Sequence, residues 1–330
     1  MHQTFPTPRD QLGERVPPLR QGRLRAIFGV VALASILTFT AGCDKKAETA
    51  EVVHVTSLAN KPNVVFLLFG DRSDPRLLPV ATSIEGQVAP VSLGARGWKD
   101  FDHLYFRPGT PLSLYRDGKP DGEALIRRGM WNDSGPLYRL PRCHSPKPLA
   151  AVALRRDDGN EVMLERIATS VPLAAPGIRA PIPRAALDSA RAVAFRVAQR
   201  EGLTRNARAE LDLAVSAIST GATNAPTLVA SYMERGGGIL GHPRHLFLLA
   251  DLSGRAYAPT FVHMADDSLP EFRRLIDHID VTGDGVDELL LEGWANGGES
   301  YLLFLRFVDG KWVEMARGET SWCADPRKKT

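Results

Sequence analysis

Two short apolar runs near the end of the sequence, YLLFL at residues 301–305 and WVEM at residues 312–315, flank the pair Asp309-Gly310. Each run has the length of a β-strand. The Asp-Gly pair favours the two-residue turn of a β-hairpin, because glycine readily takes the positive φ angles that such turns need. We therefore predict that residues 301–315 form an antiparallel hairpin.

The same arrangement recurs upstream in this half of the chain. HLFLL at residues 245–249 and YAPTFV at residues 257–262 flank Ser253-Gly254, and TLVASY at residues 227–232 follows another turn signal. Repeated short strands with tight turns are typical of antiparallel sheets in a sandwich or propeller-like arrangement. The sequence therefore predicts a mainly β fold, and no repeat is regular enough to count propeller blades.

One segment has the period of a helix instead. Apolar residues recur there at intervals of three and four: Leu187, Ala190, Ala194 and Val197. Pro183 precedes this segment and Gly202 follows it, in the positions that helix ends prefer. Arginines occupy the opposite face, which we interpret as a solvated surface: Arg191, Arg196 and Arg200. We predict a minor helical segment here, within the mainly β fold.

Residues 63–170 begin with the apolar run VVFLLF at 64–69, which suits a buried strand. Turn signals then follow at Asp117-Gly118, Asp121-Gly122 and Asp158-Gly159. The last pair separates two apolar runs, at residues 151–154 and 162–164, and so predicts a hairpin between them. We interpret this region as a small β-rich domain.

Residues 171–184 are rich in proline and alanine, which suggests a linker or a long surface crossing. We place a domain boundary there. The predicted organisation is a leader at 1–42, a polar tether at 43–62, the first domain at 63–170, the linker at 171–184, and a helix plus β-rich domain at 185–330.

The amino-terminal segment has the pattern of an export signal. It is basic up to Arg25, it is uncharged and mostly apolar from Ala26 to Gly42, and it ends in small residues. Its end, Thr40-Ala41-Gly42-Cys43, resembles the lipobox of bacterial lipoproteins, in which the cysteine is lipidated after cleavage. This resemblance implies a signal peptide at 1–42 and a lipid anchor at Cys43. The alternative is an uncleaved anchor helix with an ordinary thiol at Cys43.

Both alternatives predict a protein of the cell envelope that faces the periplasm. Asp44, directly after the cysteine, resembles the inner-membrane retention signal of such lipoproteins. The chain carries a formal charge of +3, and residues 1–42 account for all of it. The remainder is therefore neutral and has no net attraction to phosphate backbones, so nucleic acid is not an expected partner.

Cys143 and Cys323 remain if Cys43 carries a lipid. A pair of cysteines in an oxidising compartment predicts a disulfide between them. The alternative is two buried free thiols.

The segment DVTGDGVDE at residues 280–288 carries the most specific chemistry of the sequence. Oxygen-bearing side chains stand two residues apart in its first half, and glycines allow the backbone to curl around one centre. Hard cations such as Ca²⁺ bind six to eight oxygens from carboxylates, carbonyls and water. An EF-hand is excluded, because its twelfth position, which requires glutamate, is Leu291 here.

The segment instead resembles the calcium loops of FG-GAP and VCBS-type repeats, whose pattern is D-x-D-x-D-G-x-x-D followed by a strand. Thr282 and Glu288 replace aspartates of that pattern. The resemblance implies a structural Ca²⁺ ion in an extracellular β-rich module, with these ligands: Asp280, Thr282, Asp284, Val286 through its carbonyl, and Glu288. The alternative is a metal-free turn, in which Asp280 and Asp284 cap their own backbone.

No nucleophile-elbow, zinc-protease or phosphate-loop motif is found in the sequence. Several histidines are scattered, and their spacing predicts no catalytic pair: His103, His144, His263 and His278. The leading hypothesis is a non-enzymatic, lipid-anchored binding or structural protein, in contact with the membrane and with an envelope protein or glycan. The alternatives are an envelope hydrolase that acts on glycan or peptide, and an accessory subunit of an envelope complex.

Overall fold

The apolar runs of the sequence form strands, and all pairings between the described strands are antiparallel. The computed structural model describes residues 61–91, 93, 95–129, 149–155, 161–177, 179–203, 211–234, 244–265, 271–295 and 300–318. The predicted fold class, mainly β in antiparallel sheets with a minor helical part, is confirmed.

The first half of the chain closes into a six-stranded barrel. Strand β1 pairs with β2 on one side and with β7 on the other, so the order β1-β7-β4-β5-β6-β2 returns to its start, while β3 pairs with β2 outside the ring. Its elements are β1 (Asn63–Asp71), β2 (Arg76–Ile84), β3 (Gln87–Pro90), α1 (Ala95–Tyr105), β4 (Pro111–Arg116), β5 (Lys119–Gly129), β6 (Ala150–Arg155) and β7 (Met163–Thr169).

Strand β1 shows why this barrel has two apolar surfaces. Val64, Phe66 and Leu68 are fully buried in a core that all six barrel strands share with Trp98 and Phe101 of α1. The residues between them, such as Val65 and Leu67, belong to a different core on the outer side. Successive residues of a strand point to opposite faces. A continuous apolar run is therefore needed where both faces are covered.

The second half forms two antiparallel four-stranded sheets, each a meander of consecutive strands. The first sheet contains β8 (Leu211–Ile218), β9 (Thr227–Glu234), β10 (His245–Ser253) and β11 (Ala256–Ala265). The second contains β12 (Glu271–Ile279), β13 (Glu288–Ala295), β14 (Ser300–Val308) and β15 (Lys311–Arg317).

These sheets stack in layers, because alternate residues of their central strands belong to different cores. Leu246 and Leu248 of β10 pack with helix α2 (Ala186–Arg200), whereas Phe247 packs against β13 and β14. Leu290 of β13 and Phe304 of β14 face the outer surface of the barrel. The order of layers is thus helix, first sheet, second sheet and barrel.

Helix α2 confirms the predicted helical segment. Its buried face contains Ala190, Ala194 and Val197, as predicted, whereas Leu187 is 38% exposed. Gly202 has φ +80°, and the amides of Gly202 and Leu203 bond to the carbonyls of Gln199 and Ala198. This is the Schellman arrangement, in which a residue with positive φ ends the helix.

The predicted hairpins at Asp309-Gly310 and Ser253-Gly254 are confirmed, and Asp117-Gly118 turns between β4 and β5. The hairpin predicted between residues 151–154 and 162–164 is wrong, because β6 pairs with β5 and β2, and β7 pairs with β1 and β4. Asp121-Gly122 is also not a turn. It lies inside β5, where an extra residue shifts the register against β4.

Helix α1 was not predicted by the apolar pattern of residues 63–170, which we interpreted as β-rich throughout. Residues 171–177 and 179–183 form no helix or strand. The barrel and the second sheet share one apolar core, and the described residues belong to one compact unit. The domain boundary at 171–184 stays a prediction. Among the described residues, no helix is long and apolar enough to span a membrane.

Buried polar groups lie between the two sheets and their neighbours. The Asp251 carboxylate accepts hydrogen bonds from Thr227, Thr260 and the Trp312 indole, at 2.5–2.8 Å. His245 is fully buried, with Nδ1 3.0 Å from the Tyr232 carbonyl oxygen and Nε2 2.9 Å from the Arg273 carbonyl oxygen and 3.1 Å from the Arg273 amide nitrogen. Both ring nitrogens of His245 are therefore engaged by backbone groups of neighbouring strands.

Candidate functional site at the 280–288 loop

The loop at 280–288 connects β12 to β13 at one end of the second sheet. Gly283 and Gly285 have φ angles of +78° and +88°, which L side chains rarely adopt. These two residues let the chain turn tightly after Asp280. The loop therefore has the curled backbone that its glycine spacing indicates.

Asp280 and Asp284 direct their oxygens at the loop's own amides. The two carboxylate oxygens of Asp280 accept hydrogen bonds from Gly283 at 2.7 Å and Gly285 at 2.9 Å. Asp284 Oδ1 accepts from the amide of Val286 at 2.9 Å. Burial opposes ionisation of Asp284, but hydrogen bonds from Arg306 and Val286 keep its pKa below the usual value. Each acid therefore stabilises the turn by capping backbone donors.

Glu288 is 1% exposed and holds the first half of the loop. Its Oε2 accepts hydrogen bonds from the amides of Val281 and Thr282, at 3.0 and 3.3 Å, and its Oε1 accepts from the Thr282 hydroxyl at 2.9 Å. Burial raises the pKa of Glu288 to about 7. The raised pKa means that ionisation of this carboxyl is costly in the folded protein.

Arg306 of β14 faces two of these acids. Its Nη2 lies 2.7 Å from Asp284 Oδ2, and its Nε lies 3.9 Å from Glu288 Oε1. The pairing of Leu289 with Leu305 fixes this position, because it sets the next residues outward, Glu288 and Arg306, side by side. The sheet register therefore brings a cation to the loop.

The five predicted calcium ligands are close in the chain, and their oxygens suit a hard cation by type. Their arrangement is less open, since Asp280, Asp284 and Glu288 already accept hydrogen bonds from the loop and Thr282 donates to Glu288. Val286 is half-buried, and its amide is engaged by Asp284. The ligand set thus fits Ca²⁺ in chemistry, with a guanidinium placed against two of its carboxylates. Binding of Ca²⁺ stays a prediction.

Asp287, which the calcium-loop pattern treats as a spacer, is the acid whose partners lie outside the loop. It is 1% exposed, Oδ2 lies 2.7 Å from His278 Nδ1, and Oδ1 accepts a hydrogen bond from Arg179. Its amide donates to the Thr220 carbonyl at 2.8 Å. Arg179 also donates to the Gly285 carbonyl. Asp287 therefore joins the loop to β12, to residues 171–184 and to the β8–β9 connection.

The barrel reaches the same place through its β4–β5 turn. The amides of Asp117 and His278 donate to Asp277 Oδ1, at 2.9 and 2.7 Å, and burial raises the pKa of Asp277 to about 6. Gly118 lies so close that a Cβ atom on it would be 2.7 Å from Asp287 Oδ2. Glycine is required there both for the approach and for its φ of +70°.

One cluster of side chains able to bind a metal is found among the described residues, and it consists of Asp117, Asp277 and His278. One potential ligand atom of each residue lies within 4.8 Å of those of the other two. A cavity of about 480 Å³ opens beside them. Its walls come from the β4–β5 turn, from residues 176 and 179–182 and from the end of β8, and they include Lys119, Arg179, Ser219, His278 and Asp287.

Sequence analysis did not predict this cluster. His278 was named among scattered histidines, and Asp287 occupies a position that the resemblance leaves without a role. Arg179 is 108 residues from Asp287 in the chain, so no local pattern relates them. Cys43, Asp44, Cys143 and Cys323 lie outside the described residues, and their predicted lipidation, retention signal and disulfide stay predictions.

No protein family, no curated protein and no solved structure matches the chain. The functional interpretation therefore depends on the residues themselves.

Proposed function

We propose that this chain is a non-enzymatic protein of the cell envelope, anchored by lipid at Cys43 and facing the periplasm, that acts as a binding or structural module. Within it, the 280–288 loop is a structural junction that holds itself through its own hydrogen bonds and binds Ca²⁺ only weakly. The observation that carries the proposal is the direction of the loop's acids. Asp280 and Glu288 bond to the loop's own amides, and Asp287, which lines the cavity, is itself paired with Arg179 and His278.

The charge pattern supports the same function. A junction needs buried polar groups that are paired, because a buried charge without a partner is costly. Asp287 meets this condition through Arg179 and His278. An envelope glycan or protein is the expected partner of the remaining surface, since the neutral chain after residue 42 has no net attraction to nucleic acid.

The anchor is tested by metabolic labelling of expressing bacteria with radioactive palmitate. We expect label in the wild-type protein and in Cys143→Ser, and none in Cys43→Ser, because only Cys43 follows the lipobox-like residues. Labelled protein should also sediment with membranes. An unlabelled wild-type protein in the cytosolic fraction would contradict the proposal.

The alternative function is an envelope hydrolase, and one observation favours it. Asp117, Asp277 and His278 converge beside a cavity of about 480 Å³, and the pKa of Asp277 is raised to about 6 by burial. A carboxyl group that titrates near neutral pH can take part in general acid–base catalysis. His278 is held through Nδ1 by Asp287, which is how a catalytic imidazole is commonly oriented.

The two functions are separated by incubating the purified protein with peptidoglycan and following the release of soluble sugar and peptide fragments. The non-enzymatic proposal expects no release above that of a buffer control. Release by the wild-type protein that is lost in Asp117→Asn and in His278→Gln would establish the hydrolase instead. Both substitutions keep similar size, and circular dichroism of each variant checks that it remains folded.

A further inference from the structure

The acids that line the outer part of the 280–288 loop have one cationic neighbour in the described structure. Asp280, Asp284 and Glu288 concentrate potential negative charge in nine residues, and the loop itself contains no lysine or arginine. The ion pairs formed by Asp284 and Glu288 both involve Arg306. Asp284 and Glu288 are thus balanced by a cation from a different strand, while Asp287 pairs with Arg179.

This cation is held firmly in place. Arg306 lies within β14, one residue after Leu305, which pairs with Leu289 at the start of β13. Its side chain is 33% exposed, and its guanidinium reaches Asp284 and Glu288 of the loop. Because the guanidinium is attached to the same chain, its effective concentration at Asp284 and Glu288 is high, whereas a Ca²⁺ ion binds from its concentration in solution.

We propose that Arg306 is the resident cation of the 280–288 loop, and that its guanidinium occupies the side of the loop to which Ca²⁺ would be drawn. The inference concerns the loop that the proposed function treats as a junction. Two of the five ligands implied by the resemblance, Asp284 and Glu288, are those that Arg306 approaches, at 2.7 and 3.9 Å.

Two consequences follow for Ca²⁺. The loop is held by the protein's own groups, because Asp280 and Glu288 accept hydrogen bonds from its amides and Arg306 pairs with Asp284. A Ca²⁺ ion that uses Asp284 and Glu288 has to displace the guanidinium first, which reduces its apparent affinity. Removal of the arginine charge therefore unmasks a Ca²⁺ site that is only weakly available in the wild-type protein.

The test measures the melting temperature of the full purified protein by circular dichroism, in excess chelator and in millimolar Ca²⁺, with Mg²⁺ as a control for ionic strength. We expect little change for the wild-type protein. Arg306→Gln should melt lower than wild type in chelator and rise by about 2–4 °C in Ca²⁺. Arg255→Gln, at an exposed position of the β10–β11 turn, is the matched control and should show no Ca²⁺ response.

Calorimetric titration with Ca²⁺ gives a second readout, in which we expect binding to be at least tenfold tighter for Arg306→Gln than for wild type. Equal Ca²⁺ responses in the two proteins, or no response in either, would overturn the inference. If Arg306→Gln fails to fold, Arg306→Lys tests the same point. It keeps one positive charge and should remain as insensitive as wild type, and a strong Ca²⁺ response from it would contradict the proposal.

The outcome is independent of the anchoring and hydrolysis experiments. Palmitate labelling or fragment release can fail while Arg306→Gln still gains a Ca²⁺ response, and the reverse also holds. Each result therefore identifies which of the two proposals is wrong.

Discussion

The barrel and the junction around residues 277–288 are held together by different kinds of contact: apolar packing in the barrel, and ionic and hydrogen-bonded pairs at the junction. Inside the barrel, one core of aliphatic and aromatic side chains fills the ring, with Phe66 and Phe101 packed edge to face at 6.3 Å between ring centroids. At the junction, elements from the barrel, from residues 171–184 and from both sheets meet on ionisable groups, with Asp287 at the centre.

This difference indicates which contacts determine how precisely neighbouring layers are positioned. Apolar faces attract in proportion to the area they bury and tolerate small displacements. Charged hydrogen bonds require defined directions, and a buried acid that loses its partners is penalised heavily. The barrel therefore contributes stability with little dependence on pH, whereas the junction fixes how the layers are placed.

The largest expected effect is at the centre of the junction. Asp287→Ala leaves the nearly buried Arg179 guanidinium and the buried His278 imidazole without their acid. We expect a loss of about 3–5 kcal/mol in the free energy of unfolding, measured by urea denaturation at neutral pH. The control Asp188→Ala removes a surface pair with Arg191, in which the aspartate side chain is 81% exposed, and should cost less than about 0.5 kcal/mol. A loss below about 1 kcal/mol for Asp287→Ala would show that the junction does not depend on this acid.

The barrel is tested by Leu68→Ala, which opens a cavity at a fully buried position of β1. We expect a loss of about 2–5 kcal/mol, of similar size at pH 5 and pH 7, because no titrating group is removed. Leu187→Ala on α2, where the leucine is 38% exposed, is the matched control and should cost much less. A strongly pH-dependent loss for Leu68→Ala would remove the distinction between the two regions.

The smallest effect concerns acid sensitivity at the buried histidines. Burial lowers the pKa of His245 to about 4, and the neighbouring His263 and Arg273 add to this. A lowered folded-state pKa means that the unfolded chain binds more protons below pH 6.5. His245 therefore favours folding fully above pH 6.5, and this contribution falls by up to about 3 kcal/mol as the pH drops towards 4.

We expect His245→Gln to unfold with a weaker dependence on pH between 6.5 and 4 than wild type, measured by urea denaturation across that range. Glutamine keeps a donor and an acceptor for Tyr232 and Arg273 but cannot be protonated there. Asp277 and Glu288 act in the opposite sense, because their raised pKa values make folding less favourable as the pH rises. Parallel pH profiles for wild type and His245→Gln would contradict this assignment.

Much of the fold could be predicted from local patterns. The period of Ala190, Ala194 and Val197 identified α2, and the Asp309-Gly310 and Ser253-Gly254 pairs identified hairpins, because turn and helix chemistry acts over a few residues. Barrel closure could not be predicted, since it depends on β1 pairing with β7 about a hundred residues later. Strand β7 has β1 and β4 on its two edges, and β6 has β5 and β2, so β6 and β7 do not pair although they are adjacent in the chain.

The residues of the candidate site also divide into those that a local sequence pattern identifies and those that only the folded structure brings together. Asp280, Asp284 and Glu288 were recognisable because their spacing follows a known loop pattern. Arg306 and Arg179 were not recognisable, because each comes from another segment of the chain and reaches the loop only in the folded protein. Asp287 was passed over for a related reason, since its partners come from four separate segments of the chain.

The closure of the barrel also sets an order of events during synthesis. The chain emerges from the ribosome amino end first, so β1 and β2 can form a hairpin early, while the other edge of β1 waits for β7. Until residues 163–169 are available, that edge is an unpaired apolar template of the kind that chaperones protect. The second sheet packs on the outside of the finished ring, so we expect it to mature last.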